Sequence, residues 1–515
     1  MARDYRWLII VLIIIVAIIA TSVANSQYNP DTTTRLETAL DIDNGDLKVD
    51  WDKYPTTDIE LTNSIELTNP GTYHLTGTLM DGVVSVKLAD DAPIRLVLDN
   101  VTIYNSDGPA IICQEGDDLV IELVGENTLA DSATYNNYDT DVTGTIYSKA
   151  DLTFIGDGLL NIGANYADGI VGKDDLTFRG GTYHIAAADD AIRGKDSVRV
   201  ANGSFVIDAV VDAIKSTNDT DSGKGFILIE NGNFNLTAGA KGLQAIRSIL
   251  IHDGNFVITA TDDAVHSDNY IGITGGTLNI SAGDDAVHAD RELVIDGGYI
   301  NIAKSYEGLE AQKITITDGD IRVMASDDGI NAGGGADQSA ANQPNRKDPF
   351  AADENCILSI DGGNLYVNAS GDGIDSNGWL YINGGTTIVD GPTNDGNGAL
   401  DAGLGIIVNG GELIALGSSG MAEAPNQTSA INNVSVYLSQ TYPADTSVEI
   451  RDQNENVVIS HTSAKAFSHL AFSSPAFRFG DVYTLYLNDE KYSDLTISGI
   501  VTTIGNTNRG MNPRR

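Results

Sequence analysis

Short runs of alternating apolar and polar residues recur along almost the whole chain after its first thirty or so positions. A typical pair is Leu176-Thr177-Phe178 followed, across a glycine pair, by Thr182-Tyr183-His184-Ile185. Alternation puts every second side chain on one face of an extended strand, the pattern of a half-buried β-strand. The separators are Gly180-Gly181, Asn202-Gly203, Asn231-Gly232, Asp253-Gly254, Gly275-Gly276 and Gly297-Gly298, with further copies downstream. Glycine tolerates positive φ and Asn or Asp bonds locally, so each pair predicts a turn. Beyond the N-terminal leader no segment shows helical periodicity with caps.

A second marker keeps step with the first. The signature Asp-Asp-(Ala/Gly)-(Ile/Val) returns about every 22 residues. Its second acid falls at Asp168, Asp190, Asp212, Asp263, Asp285, Glu307, Asp328, Asp372 and Asp395, with a degenerate copy at Lys241-Gly242-Leu243. A fixed period of this size predicts a solenoid. The expected fold is all-β: a right-handed parallel β-helix of about 22-residue turns with a small C-terminal β cap. The pattern divides the chain into residues 1–27, a signal peptide or membrane anchor, and 28–150, an N-terminal cap with irregular turns. Regular β-helix with the acidic ladder follows over 151–431, a β cap or small β-sandwich over 432–502, and a polar tail over 503–515. Two stretches break the period, around residues 217–222 and 333–354. Both are expected to leave from the side of the acidic corner and frame a binding face, unless the longer hides a degenerate turn.

Charge narrows the possible partners. The chain has 72 acidic and 30 basic residues, a net charge of −42, with 42% hydrophobic residues in regular runs. Nucleic acid and anionic membrane surfaces are excluded as partners, since both need a basic face. Membrane association is expected only through the leader: Arg3 and Arg6 precede an apolar run, and residues 7–24 read equally as signal peptide or retained anchor. Either places the remainder outside the cytoplasm, secreted or anchored to the outer face. Cys113 and Cys356, far apart in the repeat, are expected to be buried thiols, without a cysteine metal motif.

Stacked turns repeat ~4.8 Å apart, so a column of carboxylates repels itself by roughly 3–4 kcal/mol per step at an effective dielectric near 20. Carboxylates and carbonyls in excess, without thiolates, select hard cations, and outside the cell that means several Ca²⁺ ions. The metal-ligand candidates are Asp189, Asp190, Asp212, Asp262, Asp263, Asp284, Asp285, Glu307, Glu310, Asp327, Asp328, Asn331, Asp372 and Asp375. Those from Glu307 to Asp375 are the best placed, because the position three residues beyond the second acid there also offers oxygen. Down the stack that position reads Arg193, Lys215, Gln244, His266, His288, Glu310, Asn331 and Asp375. Lys173, Arg193, Lys195 and Lys215 are candidates for gripping the carboxylates of an acidic sugar chain. His266 and His288 are further candidates for ligand contact, expected as a surface ladder, with transition-metal ligation the less favoured reading.

Several strings resemble a known family of extracellular calcium-binding β-helix proteins, the carbohydrate-binding domain-containing proteins. They are Gly71-Thr-Tyr-His-Leu-Thr-Gly-Thr-Leu79, Leu96-Val-Leu-Asp-Asn-Val-Thr-Ile-Tyr-Asn-Ser-Asp-Gly108, Asp168-Gly-Ile-Val-Gly-Lys-Asp-Asp-Leu176 and Ser473-Ser-Pro-Ala-Phe-Arg-Phe-Gly-Asp-Val-Tyr483. The resemblance implies a fold related to family 9 pectate lyases, several Ca²⁺ ions and binding of a plant-type polysaccharide. Those lyases pair an Asp-Asp-x-x-Asp site with a lysine base. Here Gly371 replaces the first acid before Asp372-Gly-Ile-Asp375, and no lysine carries a base motif. An acidic surround also opposes the lowered pKa such a base needs. The leading expectation is a non-catalytic, calcium-dependent binder of acidic polysaccharide such as polygalacturonate. A calcium-dependent polysaccharide lyase and an adhesin or envelope scaffold with structural calcium remain open beside it.

Overall fold

The computed structural model describes residue 40 and residues 49–88, 92–333 and 352–505. The leader, most of the longer insertion and most of the tail lie outside the described residues. The described residues from 49 to 505 belong to one compact unit. Its architecture is a parallel β-solenoid of about 14 turns with about 23-residue spacing. Among the described residues the only helical element is a 3-10 turn at Trp51–Lys53, and no helix is long and apolar enough to cross a membrane.

Each regular turn contributes one strand to each of three parallel faces. The first face takes short strands such as Ile192–Gly194, Ile214–Ser216, Leu243–Ala245 and Val265–Ser267. The second takes strands such as Ser197–Val200 and Phe226–Ile229, and the third longer ones such as Ser204–Ala209 and Asn233–Ala238. Val287–Ser305 and Leu309–Ala325 run unbroken around all three faces. Identical phases stack in register, as in Ile185–Ile207–Leu236–Ile258–Ile280. All are buried, so the alternation read in the sequence becomes one continuous apolar column.

The glycine turns join the second face to the third. Gly254 has φ +126° and its missing side chain leaves room for the Phe256 ring, which a Cβ there would meet at 3.0 Å. That clearance lets the rings stack down the core: Phe205, Phe234 and Phe256 lie 5.0 and 4.5 Å apart, nearly parallel.

The C-terminal end changes character. Phe467–Ser473 pairs antiparallel with Glu412–Gly417, the last strand of the third face, and with Asn433–Tyr442. A four-stranded antiparallel sheet of Val457–Thr462, Ser447–Arg451, Val482–Leu487 and Glu490–Thr496 accompanies it, around a separate apolar cluster.

Two expectations need correcting, and one open alternative closes. The insertions follow Ile214–Ser216 and Ile330–Ala332, so both leave the corner between the first and second faces, one corner beyond the acidic one. No turn is stacked between the two that flank the longer insertion, because Lys313–Ile316 pairs directly with Ile357–Ile360. Asp395 is outside the ladder: Ile374 pairs with Leu400, which puts Gly398 at the phase of Asp372. The period slips there because the loop at 391–398 is longer than its counterparts. Cys113 and Cys356 are both buried, as expected.

Candidate functional site

The acidic corner joins the third face of one turn to the first face of the next. Its second acids Asp168, Asp190, Asp212, Asp263 and Asp285 are buried. Burial follows from a task the spacing alone did not reveal. One oxygen of each carboxylate accepts the backbone N–H of the equivalent residue in the following turn. Asp168 accepts from Asp190 at 3.1 Å, Asp190 from Asp212 at 3.1 Å, Asp263 from Asp285 at 3.0 Å and Asp328 from Asp372 at 2.6 Å. The carboxylates thus satisfy corner amides that would otherwise be buried without a partner. The first acids lie further out: Asp189, Asp262 and Asp327 are half-buried and Asp284 is exposed.

The other oxygen faces the row three residues on, and the register confirms that row from Arg193 to Asp375 and extends it to Asp401. In its first half the row balances the acids. Arg193 lies 3.3 Å from Asp168, and Lys215 lies 2.7 Å from Asp212 and 3.5 Å from Asp190. Lys241, standing in the acid column itself, bridges Asp262 at 3.0 Å and Asp263. His266 Nδ1 meets Asp263 at 2.8 Å, and His288 Nδ1 meets Asp285 at 3.0 Å. Burial alone would raise the Asp263 carboxyl, but His266 and Lys241 outweigh it and hold it well below the usual range. Asp190 is pushed up to about 6 by burial, only partly offset by Lys215.

Beyond His288 the row carries no basic side chain, and the balance fails. Burial, with Asp285 and other carboxylates nearby, pushes Glu307 up to about 8. Burial and Asp372 push Asp328 up to about 7, and burial with its acidic neighbours raises Asp375 well above the carboxylate range. Glu310, raised to about 10 by burial and Glu307, lies 3.2 Å from His288 Nδ1. Asn331 donates to Glu307 Oε2 at 3.0 Å, while its own Oδ1 is buried without a hydrogen-bond partner among the described residues. A buried acceptor stacked between Glu310 and Asp375, on a side chain bonded to Glu307, fits a hard cation. Gly371 has a steric cause: a Cβ there would fall on Asp327 Oδ1 and Asp328 Oδ1.

Not every candidate joins this corner. Lys173, 3.8 Å from Asp141, and Lys195, 3.6 Å from Asp196, sit beyond the end of the first-face strands, at the next corner. His266 and His288 are buried, the latter at 0% exposure, so they are no surface ladder. The carboxylates of three levels close over them.

Three features escaped the sequence reading. Asp401 extends the row; Gly398-Ala-Leu-Asp401 repeating Asp372-Gly-Ile-Asp375 was the available signal. Glu423 accepts the Ala402 amide at 3.2 Å and is pushed up to about 7 by burial and by Asp401. It comes from a loop outside the repeat, so no spacing predicted it. A second acidic group, Asp151, Asp174 and Asp175, occupies the corner between first and second faces. There Lys224 from the shorter insertion reaches Asp196 at 2.6 Å and Asp174 at 3.5 Å.

Comparison with known proteins places this geometry in a family. The sequence profile of the carbohydrate-binding domain-containing proteins matches residues 62–308 and 247–340, together more than half of the chain. A protein of that description from Acetivibrio thermocellus is 33% identical over 128 residues, 24% of this chain and 45% of that protein. The chain therefore matches less than half the length of that curated relative. A solved structure, titled a polysaccharide lyase-like protein from C. thermocellum in a gadolinium derivative, aligns at 26% identity with a TM-score of 0.39. It covers 47% of this chain and 96% of the other. The match of the profile runs through the acidic corner from Asp168 to Asp328, and the chain belongs to the carbohydrate-binding domain-containing family.

Proposed function

We propose that this protein is a non-catalytic, Ca²⁺-dependent binder of acidic polysaccharide, acting outside the cytoplasm. The observation that carries the reading is the loss of charge balance along one corner. Up to His288 the second acids have basic partners; beyond it the row turns to Glu310, Asn331, Asp375 and Asp401, and Asn331 Oδ1 is buried without a partner among the described residues. Glu307, Asp328, Asn331, Asp372 and Asp375, with Asp401 added, would hold the cation. Bound Ca²⁺ supplies positive charge to which uronate carboxylates and sugar hydroxyls can ligate. The family supports a polysaccharide partner.

One observation favours the lyase alternative. Lys465 of the C-terminal cap donates to the Ala369 carbonyl, three residues before Asp372, and burial holds its pKa below the usual lysine range. A desolvated lysine can act as the base that abstracts a proton from a uronate.

Calorimetric titration of the EDTA-treated protein with polygalacturonate, with and without Ca²⁺, tests both. Heat only with Ca²⁺, and no ultraviolet absorbance from unsaturated products, is the expected result. Rising absorbance that Lys465→Ala abolishes would establish the lyase instead. Absence of heat, with Ca²⁺ still raising the melting temperature, would leave a scaffold role.

A further inference from the structure

We infer that His288, Asp285 and Glu310 form a second, chemically distinct metal site, for a borderline divalent ion of the Zn²⁺ class. The inference stands independently of glycan binding and of the oxygen-only site beyond it. It starts from a convergence. Asp285 Oδ2 lies 3.0 Å and Glu310 Oε2 3.2 Å from the same atom, His288 Nδ1. The three atoms belong to buried or nearly buried side chains within 4.8 Å of one another. An imidazole Nδ1 carries at most one hydrogen, so a single N–H faces two carboxylates. A divalent ion among the three atoms would serve both.

The spacing suits such an ion. Metal–nitrogen and metal–oxygen bonds of about 2.0–2.2 Å place neighbouring ligand atoms about 3 to 3.5 Å apart. Both nitrogen–oxygen distances already lie in that range. The far side of the ring is arranged as well: Asp290 Oδ1 stands 3.4 Å from His288 Nε2. A carboxylate behind the second nitrogen fixes the tautomer and raises the basicity of the ligating one, as in carboxylate–histidine–metal units.

One turn earlier the arrangement repeats. His266 Nδ1 faces Asp263 at 2.8 Å and His266 Nε2 faces Asp268 at 3.3 Å, with the two rings 4.9 Å apart. Asp263, His266 and His288 also bring three potential ligand atoms within 4.8 Å. The segments Asp262-Asp-Ala-Val-His-Ser-Asp268 and Asp284-Asp-Ala-Val-His-Ala-Asp290 therefore encode ligand, ligand and orienting carboxylate twice over. Only the later copy has an acid, Glu310, in the following turn at the same phase. Gln244 occupies that phase one turn before His266. Imidazole nitrogen with two carboxylates selects Zn²⁺, Co²⁺ or Mn²⁺ over Ca²⁺, which requires more oxygen ligands.

The test uses Co²⁺ as a spectroscopic probe on the full-length chain, after EDTA treatment and with Ca²⁺ present in large excess. The expected result is a visible ligand-field band saturating at one Co²⁺ per chain, displaced by Zn²⁺ and unaffected by Ca²⁺. His288→Ala should abolish the band. Asp290→Asn, which leaves all three ligands in place, should weaken Co²⁺ binding by about 10- to 100-fold. Displacement by Ca²⁺, absence of any band, or a band unchanged in both variants would overturn the inference. Polygalacturonate binding of His288→Ala in Ca²⁺, read separately, reports on the function proposed above.

Discussion

Each second acid of the corner divides its two oxygens between different tasks. At Asp328 one oxygen holds the Asp372 amide, so the carboxylate is committed to the backbone before any ligand arrives. Gly371 is where this arrangement has no slack. Gly371→Asp, which would restore the missing acid of the lyase-type motif, places a Cβ against the Asp327 and Asp328 carboxylates. The variant should lose ~1–3 kcal/mol of stability, as overpacked sites do, and bind Ca²⁺ more weakly, both readable from thermal melts with and without Ca²⁺. A tighter Ca²⁺ complex would show that the corner can open to admit a further ligand. The acids themselves were legible in the sequence because their period was. Which oxygen each one spends on the backbone was not, since that depends on the neighbouring turn.

The stacked strand is the unit that turns this local chemistry into a ladder. Phe234 sits between Phe205 and Phe256 in the core and is almost fully buried. Removing it leaves a cavity that neighbouring turns cannot close, because their registers are locked on both sides. Phe234→Ala should cost about 3–5 kcal/mol in urea unfolding; a loss below about 1 kcal/mol would mean the turns can slide together. Strand positions and phases were readable from alternation and glycine turns, which are local signals. The site of the insertions was not: counting from acid to glycine spans two corners, and only the pairing of Ile214–Ser216 and Phe226–Ile229 with their neighbours tells which one carries the extra residues.

Across the whole molecule the acidic corner couples stability to pH and cation supply. Glu307, Asp328 and Glu423 have folded pKa values of about 8, 7 and 7, above those of an unfolded carboxylate. Such groups contribute stability that is present below the unfolded pKa and lost as pH rises through the folded one. The EDTA-treated protein should therefore melt lower as pH is raised from about 5 to 8, and Ca²⁺ should remove most of that loss. A melting temperature rising over the same window without Ca²⁺ would contradict it. At the other end of the solenoid, truncation after residue 431 removes Phe467–Ser473 and uncovers the edge of Glu412–Gly417. An uncovered edge strand invites pairing between molecules, so the truncated protein should elute as oligomers in size-exclusion chromatography, whereas a monomer would show the edge to be harmless.

From residue order alone came the solenoid, its period, the buried columns and the candidate carboxylates, because a repeat places each residue one turn from its equivalent. Stacking decided the rest. It put Lys241 opposite Asp262 and Asp263, buried His266 and His288 among carboxylates of three levels, and, beyond His288, stacked only Glu310, Asn331, Asp375 and Asp401 along the row. Desolvation and charge balance depend on what surrounds a side chain in space, and residues 22 or 44 positions away supply those surroundings only once the turns are stacked.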